Sequence, residues 1–150
     1  NKIVARMEKL GLEKYTTYVA FDYWKDDFTD PVRDKIKEDL DPGTCRILAV
    51  RPQSDHPQLL STSRHITQGL MDVVAEKWDA DSKTLRGSGR LVAGDPYELR
   101  IALPPRSRLK PVRASATDAE IEIGEVGEKG MRATINSDKS RIVHWEVAFK

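Results

Sequence analysis

The sequence predicts an all-β fold, an antiparallel β-sandwich of the immunoglobulin-like or jelly-roll-like kind, on three observations. Residues 15–24, YTTYVAFDYW, form the densest aromatic and β-branched run in an otherwise charged chain. Beyond residue 58, short segments of strand length are separated by turn signals every 8 to 12 residues, the spacing of a sandwich. The closing run, RIVHWEVAFK, places Val143, Trp145, Val147 and Phe149 on one face and Ile142, His144, Glu146 and Ala148 on the other. Roughly ten short strands with at most a turn of helix are expected, as one sandwich or two small packed ones.

Taken in order, residues 1–12, NKIVARMEKLGL, fit two periods: Ile3, Val4, Met7 and Leu10 at helical spacing, or Ile3, Ala5 and Met7 on one strand face. Periodicity alone favours the helix. The aromatic run 15–24 follows as a strand with bulk on both faces, Val19, Phe21 and Tyr23 against Tyr18, Ala20 and Trp24, so it is expected to be covered on two sides. VRDKIKEDL at 32–40 reads as a charged edge strand. Asp41-Pro42-Gly43 predicts a tight reversal, and with it a hairpin onto the return strand TCRILAV at 44–50.

Residues 51–58, RPQSDHPQ, hold two prolines and no period, and mark a soft boundary between residues 1–54 and 55–150. Past it come strands in LLSTSRHITQG, MDVVAEKW, TLRGSGRLVA and YELRIALP, with GSG and AGDP read as turns. In the last of these Tyr97, Leu99, Ile101 and Leu103 alternate with Glu98, Arg100 and Ala102, which predicts one core face and one mostly wet face. VRASATDAEIEI, GMRATINS and RIVHWEVAFK complete the set, with Gly124, Gly127 and Gly130 punctuating the turn between the first two.

Composition bounds the function. A content of 39% hydrophobic residues in 150 suffices for one ordinary core or two small ones sharing an interface. The 25 basic and 24 acidic residues are interspersed, and a net charge of +1 gives no field to steer nucleic acid or a membrane surface. A single cysteine excludes an internal disulfide and a Cys-based zinc cluster. Cys45 lies in an apolar run and is expected to be a buried, inert thiol. No apolar run approaches the ~18 residues of a membrane span, and the N-terminus carries no signal-peptide pattern. Because the first residue is Asn rather than Met, a longer parent chain with any targeting segment upstream is expected.

No catalytic constellation is evident. His56, His65 and His144 are too scattered for a metal site, and His144 reads as a surface or interface side chain. His65 follows Ser61, Thr62, Ser63 and Arg64, which brings hydroxyls and an imidazole near in sequence. Neighbouring strand residues face opposite ways, however, and no acid partner or GxSxG elbow accompanies them. Hydroxyls satisfying buried backbone groups are the better use. Asp22, Asp26, Asp27 and Asp30 crowd one loop but lack the DxDxDG spacing of a calcium loop. No cofactor is expected. Sugars stack on exposed aromatic faces, and Tyr15, Tyr23, Trp24 and Trp78 are the candidate carbohydrate-binding residues, whereas Tyr97 and Trp145 alternate with core aliphatics.

The stretch LGLEKYTTYVAFDYWKDDF followed by LDPGTCRILAVRP resembles the carboxy-terminal β-sandwich domain of α-galactosidase-like (melibiase-like) glycoside hydrolases. There a strand ending in an aspartate-aromatic-tryptophan triplet, here Asp22-Tyr23-Trp24, precedes an edge strand, a turn and a Leu/Val-rich strand ending at Arg-Pro. HPQLLSTSRHITQG through AGDPYELRIALP resembles the extended tail of some bacterial members, so the likeness covers most of residues 2–103. It implies that KIVARMEKLGL is a strand running into a turn at Lys9 to Leu12, which overrides the helical period. It also implies that residues 1–54 are a C-terminal sandwich, lacking an upstream strand, and that 55–150 are a second sandwich or its continuation. The catalytic barrel and its carboxylates are not among these residues, so no catalytic residue carries over. The implied role is a non-catalytic accessory domain whose partner is the TIM barrel of the same parent chain, with oligosaccharide as a further partner and a periplasmic or extracellular location.

Overall fold

Fourteen strands and one 3-10 turn make up the regular structure of this computed structural model, which describes residues 2–150. The fold is an antiparallel β-sandwich architecture, 54% strand and 3% helix. It divides into two compact units, one ending at Gln53 and the other spanning Ser54–Lys150.

In the first unit, β1 (Lys2–Arg6) runs into a 3-10 turn (Met7–Leu10) that Gly11 ends at φ 74°. The chain is therefore a strand and turn here, against its helical period. The apparent stripe is no core face: Ile3, Val4 and Leu10 are exposed, and only Met7 is buried, its N–H donating to the Asp34 carbonyl at 2.9 Å. The aromatic run supplies β2 (Thr17–Asp22), in which Tyr18, Val19, Ala20, Phe21 and Asp22 are all buried. The strand is shorter than the run, because Tyr15 has φ 63° and Tyr23 and Trp24 belong to the following turn. β2 is flanked by β6 (Leu48–Pro52) and by the two-residue strands β3 (Asp27–Phe28) and β4 (Val32–Arg33), with Phe21 and Phe28 edge to face at 5.1 Å.

The expected edge strand 32–40 is two strands. Asp34 at φ 66° breaks it, so that β4 pairs with β2 while β5 (Lys35–Asp39) pairs with β1 from Arg6↔Lys35 to Lys2↔Asp39. The Asp41-Pro42-Gly43 turn forms, with Gly43 at φ 81° and Thr44 N–H donating to the Asp41 carbonyl at 3.1 Å. It does not close a hairpin, because β6 leaves β5 and pairs with β2. Residues 44–47 are consequently irregular, and Cys45 is exposed rather than buried.

The second unit packs two four-stranded sheets. One has the order β12 (Glu120–Val126), β13 (Gly130–Asn136), β10 (Tyr97–Ala102), β7 (Gln58–Thr62). The other runs β11 (Pro111–Ala116), β14 (Arg141–Phe149), β9 (Thr84–Leu91), β8 (Val73–Asp79). Leu85, Tyr97, Leu99, Ile135, Trp145 and Val147 are among the residues of the core cluster built from both sheets. The inner pairings β10–β13 and β14–β9 are in continuous register. Each of the four outer pairings, β7–β10, β11–β14, β12–β13 and β8–β9, contains a register shift.

Three expectations change in this unit. VRASATDAEIEI is two strands in different sheets, parted at Asp118, which takes φ 51°. Of the three glycines expected in the next turn only Gly127 lies there, since Gly124 sits within β12 and Gly130 opens β13. GSG is not a turn but the middle of β9. A Cβ on Gly87 would lie 2.3 Å from Trp145 Cζ2, and one on Gly89 would lie 2.8 Å from the Tyr97 hydroxyl, so two rings occupy the space that side chains would take. The outer face of β10 is not wet either, because Arg100 and Ala102 are buried. No helix among the described residues is long and apolar enough to cross a membrane.

Candidate functional site

Two of the hydroxyls singled out in the sequence, Ser61 and Thr62, join a polar cluster inside the fold, with a carboxylate, Asp72, that the sequence did not single out. Ser61 and Thr62 end β7, where Ser61 Oγ donates to Gln68 Oε1 at 2.8 Å and Thr62 Oγ1 donates to Asp72 Oδ2 at 2.8 Å. Asp72 Oδ2 also accepts from the Tyr97 hydroxyl at 2.6 Å. Arg100 closes the cluster from β10, with Nη1 donating to the Thr62 carbonyl at 3.1 Å and Nε donating to Glu98 Oε1 at 2.8 Å. Burial above all, then the adjoining Asp72 carboxylate, pushes the Tyr97 phenol far above its ordinary pKa, so it stays a proton donor.

These bonds clamp both ends of the segment 63–72. Its backbone enters the left-handed region at His65, Gln68 and Gly69, and its tip exposes Ile66, Leu70 and Met71. The Arg64 guanidinium lies 5.8 Å from the Tyr97 ring centroid, and Arg64 Nη1 pairs with Asp95 at 2.5 Å. A serine nucleophile needs a base within hydrogen-bond reach. Ser61 is buried and committed to Gln68, while Ser63 Oγ accepts from Glu98 N–H at 2.9 Å, and His65 is exposed on the loop.

The aromatic candidates fall into both units. In the first, Tyr15 is 65% exposed and Trp24 59% exposed, and Trp24 meets Tyr23 edge to face at 4.9 Å and 75°. Those two rings therefore stand steeply to one another, not as a coplanar pair. In the second unit Trp78 is half-buried on β8, stacked on His56 at 5.5 Å and 3° and set edge to face against Phe149 at 5.9 Å. His56 thus covers one face of that indole. Among the crowded aspartates Asp22 is used structurally: Oδ1 accepts from Trp24 and Lys25 N–H at 3.0 Å, and Oδ2 meets Arg46 Nε at 2.5 Å. No group of His, Cys, Asp or Glu among the described residues is placed to hold a metal ion.

Among the described residues, two of the clefts lie on the second unit. The smaller, about 310 Å³, runs over the outer face of β9, β14 and β11 beside His144, Arg86 and Glu146. The larger, about 660 Å³, lies at one end of the sandwich. It is lined by Asp118, Glu120, Asn136, Asp138 and Arg141 with the backbone of Gly94, and is of the size that small ligands occupy. The β12–β13 ladder sets Glu120 directly opposite Asn136. Arg141 reaches across from β14, its Nη1 and Nη2 at 3.4 Å from Asp118 Oδ2 and Asp138 Oδ1, and Nη2 also donates to the Asp118 carbonyl. Gly94 N–H bonds the Ser137 carbonyl at 2.9 Å, and Ala93 N–H bonds Ser140 Oγ at 3.0 Å, which knits the two loops of the rim.

Sequence reasoning missed this cleft because it ran Asp118 through as part of one long strand. The turn propensity of T-D-A at 117–119, and the aspartates at both 118 and 138 flanking Arg141, were the available signals. Compared with protein-family models, with curated proteins and with solved structures, the chain matches none.

Proposed function

We propose that the chain is a non-catalytic accessory β-sandwich region of a carbohydrate-active enzyme of the α-galactosidase-like kind, serving to stabilise or shape a catalytic barrel of the same parent protein. The buried cluster is the observation that supports this reading. Of the side chains with catalytic potential, Ser61 bonds Gln68 while Thr62 and Tyr97 both donate to Asp72, and all four are buried and hold a loop. The reading carries a periplasmic or extracellular location for the parent. A second reading, a carbohydrate-binding module, is favoured by the exposure of Trp24 and Tyr15.

The test is immunoprecipitation from the source cells with an antibody raised against these 150 residues, followed by assay on aryl α-galactosides. The expected result is galactosidase activity in the precipitate and none from the recombinant chain. Turnover by the recombinant chain itself, or a precipitate without glycosidase activity, overturns the proposal.

A further inference from the structure

We infer that the end cleft of the second unit is a binding site for a neutral saccharide, recognised through vicinal hydroxyls by Asp118, Asn136, Asp138 and Arg141. A hydroxyl both donates and accepts, so a diol is held best where donors and acceptors alternate over a few ångströms. The cleft has that alternation. Arg141 supplies fixed N–H donors between two carboxylates that are 73% and 77% exposed and keep acceptor capacity toward solvent. The amide of Asn136 offers both kinds of group, and neither it nor the opposing Glu120 carboxylate makes a side-chain hydrogen bond among the described residues.

A second observation comes from inside the wall. Arg141 Nε is shielded from solvent and has no hydrogen-bond partner among the described residues, although the side chain as a whole is 31% exposed. A buried donor of this kind is usually paired. Its guanidinium is thus anchored through its Nη edge alone, and because Nε is closed to solvent, the donors it presents to a cleft large enough for a monosaccharide are Nη1 and Nη2.

Charge selects the ligand class. Three carboxylates face one guanidinium, which disfavours phosphates and uronates. The guanidinium at the centre disfavours a compact cation, in keeping with the lack of a metal-holding group among the described residues. A neutral polyol remains. The polyol chemistry stands on the cleft, while the choice of saccharide among polyols rests on the proposed association with a carbohydrate-active enzyme. No aromatic ring lines the cleft, so it is distinct from Tyr15, Tyr23, Trp24 and Trp78.

The test is a titration of the 150-residue chain with D-galactose, D-glucose, D-mannose and L-arabinose, with glycerol and spermidine as comparison probes, followed by ¹H–¹⁵N correlation spectra. Saturable shifts at the amides of Gly94, Ala119, Glu120 and Asn136 are expected for at least one sugar, unchanged between about 0.05 and 0.5 M salt because the ligand is uncharged. Asn136→Ala and Asp138→Asn should each weaken that sugar by about tenfold, the effect of one good hydrogen bond, with the rest of the spectrum in place. No saturable shift in the cleft for any sugar on the folded chain overturns the inference. So does binding of spermidine alone that salt abolishes, or glycerol binding as tightly as every sugar. A failed titration leaves the immunoprecipitated galactosidase activity untouched, and a failed precipitation leaves the titration standing, so the two proposals fall separately.

Discussion

The Tyr97 hydroxyl donates to Asp72 Oδ2 at 2.6 Å, and both side chains are buried, one on a central strand and the other where the 63–72 loop runs into β8 of the facing sheet. This bond ties the loop to the core, and it gives the fold an alkaline limit. Burial raises the phenol above its ordinary 10.0, so the folded state keeps a proton that the unfolded chain releases. The contribution is complete below pH 10 and is lost progressively above it, at about 1.4 kcal/mol per pH unit. Urea titrations of the wild type at pH 9 to 11.5 should show that slope, and Tyr97→Phe should lack this share of it.

At pH 7, Tyr97→Phe should cost about 1.5–3 kcal/mol, the usual value of a hydrogen bond to a charged group. Asp72 retains Thr62 Oγ1 as a donor, so the variant should fold. A loss below about 0.5 kcal/mol in denaturant melts would mean that the bond contributes nothing net.

Gly87→Ala should destabilise the second unit by about 1–3 kcal/mol, the cost of forcing extra volume into a packed site. The added methyl meets the Trp145 ring at 2.3 Å and the Ala75 carbonyl at 2.8 Å, and backbone cannot yield as a side-chain end does. A thermal melt followed by tryptophan emission reads both the stability and the displaced indole; an unchanged midpoint would contradict the close packing.

Arg46 joins Asp22 at the end of β2 to Glu38 on β5, and so links the two sheets of the first unit. Burial works against the guanidinium's charge, but the Glu38 and Asp22 carboxylates outweigh it and hold its pKa above the usual arginine value. Arg46→Met should cost about 3–5 kcal/mol, because it strands the buried Asp22 carboxylate. Adding Asp22→Asn should recover part of the loss. Hydrogen exchange at the β2 amides is the measurement, and equal protection in all three proteins would refute the linkage.

Cys45 should react with Ellman's reagent in the native chain, releasing about one thiolate per molecule without denaturant, as expected of an accessible thiol. A thiol that reacts only after unfolding would contradict its exposure on the 44–47 segment.

The fold was legible where one face of a strand packs in the core. β14 shows its burial in plain alternation, β10 shows its core face though not the burial of its other face, and β2 shows its burial in aromatic density. What stayed hidden depended on partners distant in sequence. Nothing local in VRDKIKEDL says that its two halves serve different sheets, since the break rests on one left-handed Asp34. Nothing local in TCRILAV says that its partner is β2 across an intervening strand, so Cys45 was given a burial it lacks. GSG read as a turn because the rings filling its empty side-chain positions, Trp145 and Tyr97, come from other strands. The end cleft draws its polar groups from β12, β13, β14 and their loops, and sequence spacing cannot show that such groups line one cleft.

The register shifts in the second unit have a colloidal consequence. They fall at β7, β8, β11 and β12, the four outermost strands, and spare both central pairings. A flat border offers its unpaired amides and carbonyls to any passing chain, whereas a bulged border is twisted out of line. β12 adds Glu120, Glu122 and Glu125, and β11 opens on Pro111, which has no amide to donate. A unit so finished at its margins resists edge-to-edge stacking, and straightening one margin, rather than loosening the core, is the change that would favour ribbons.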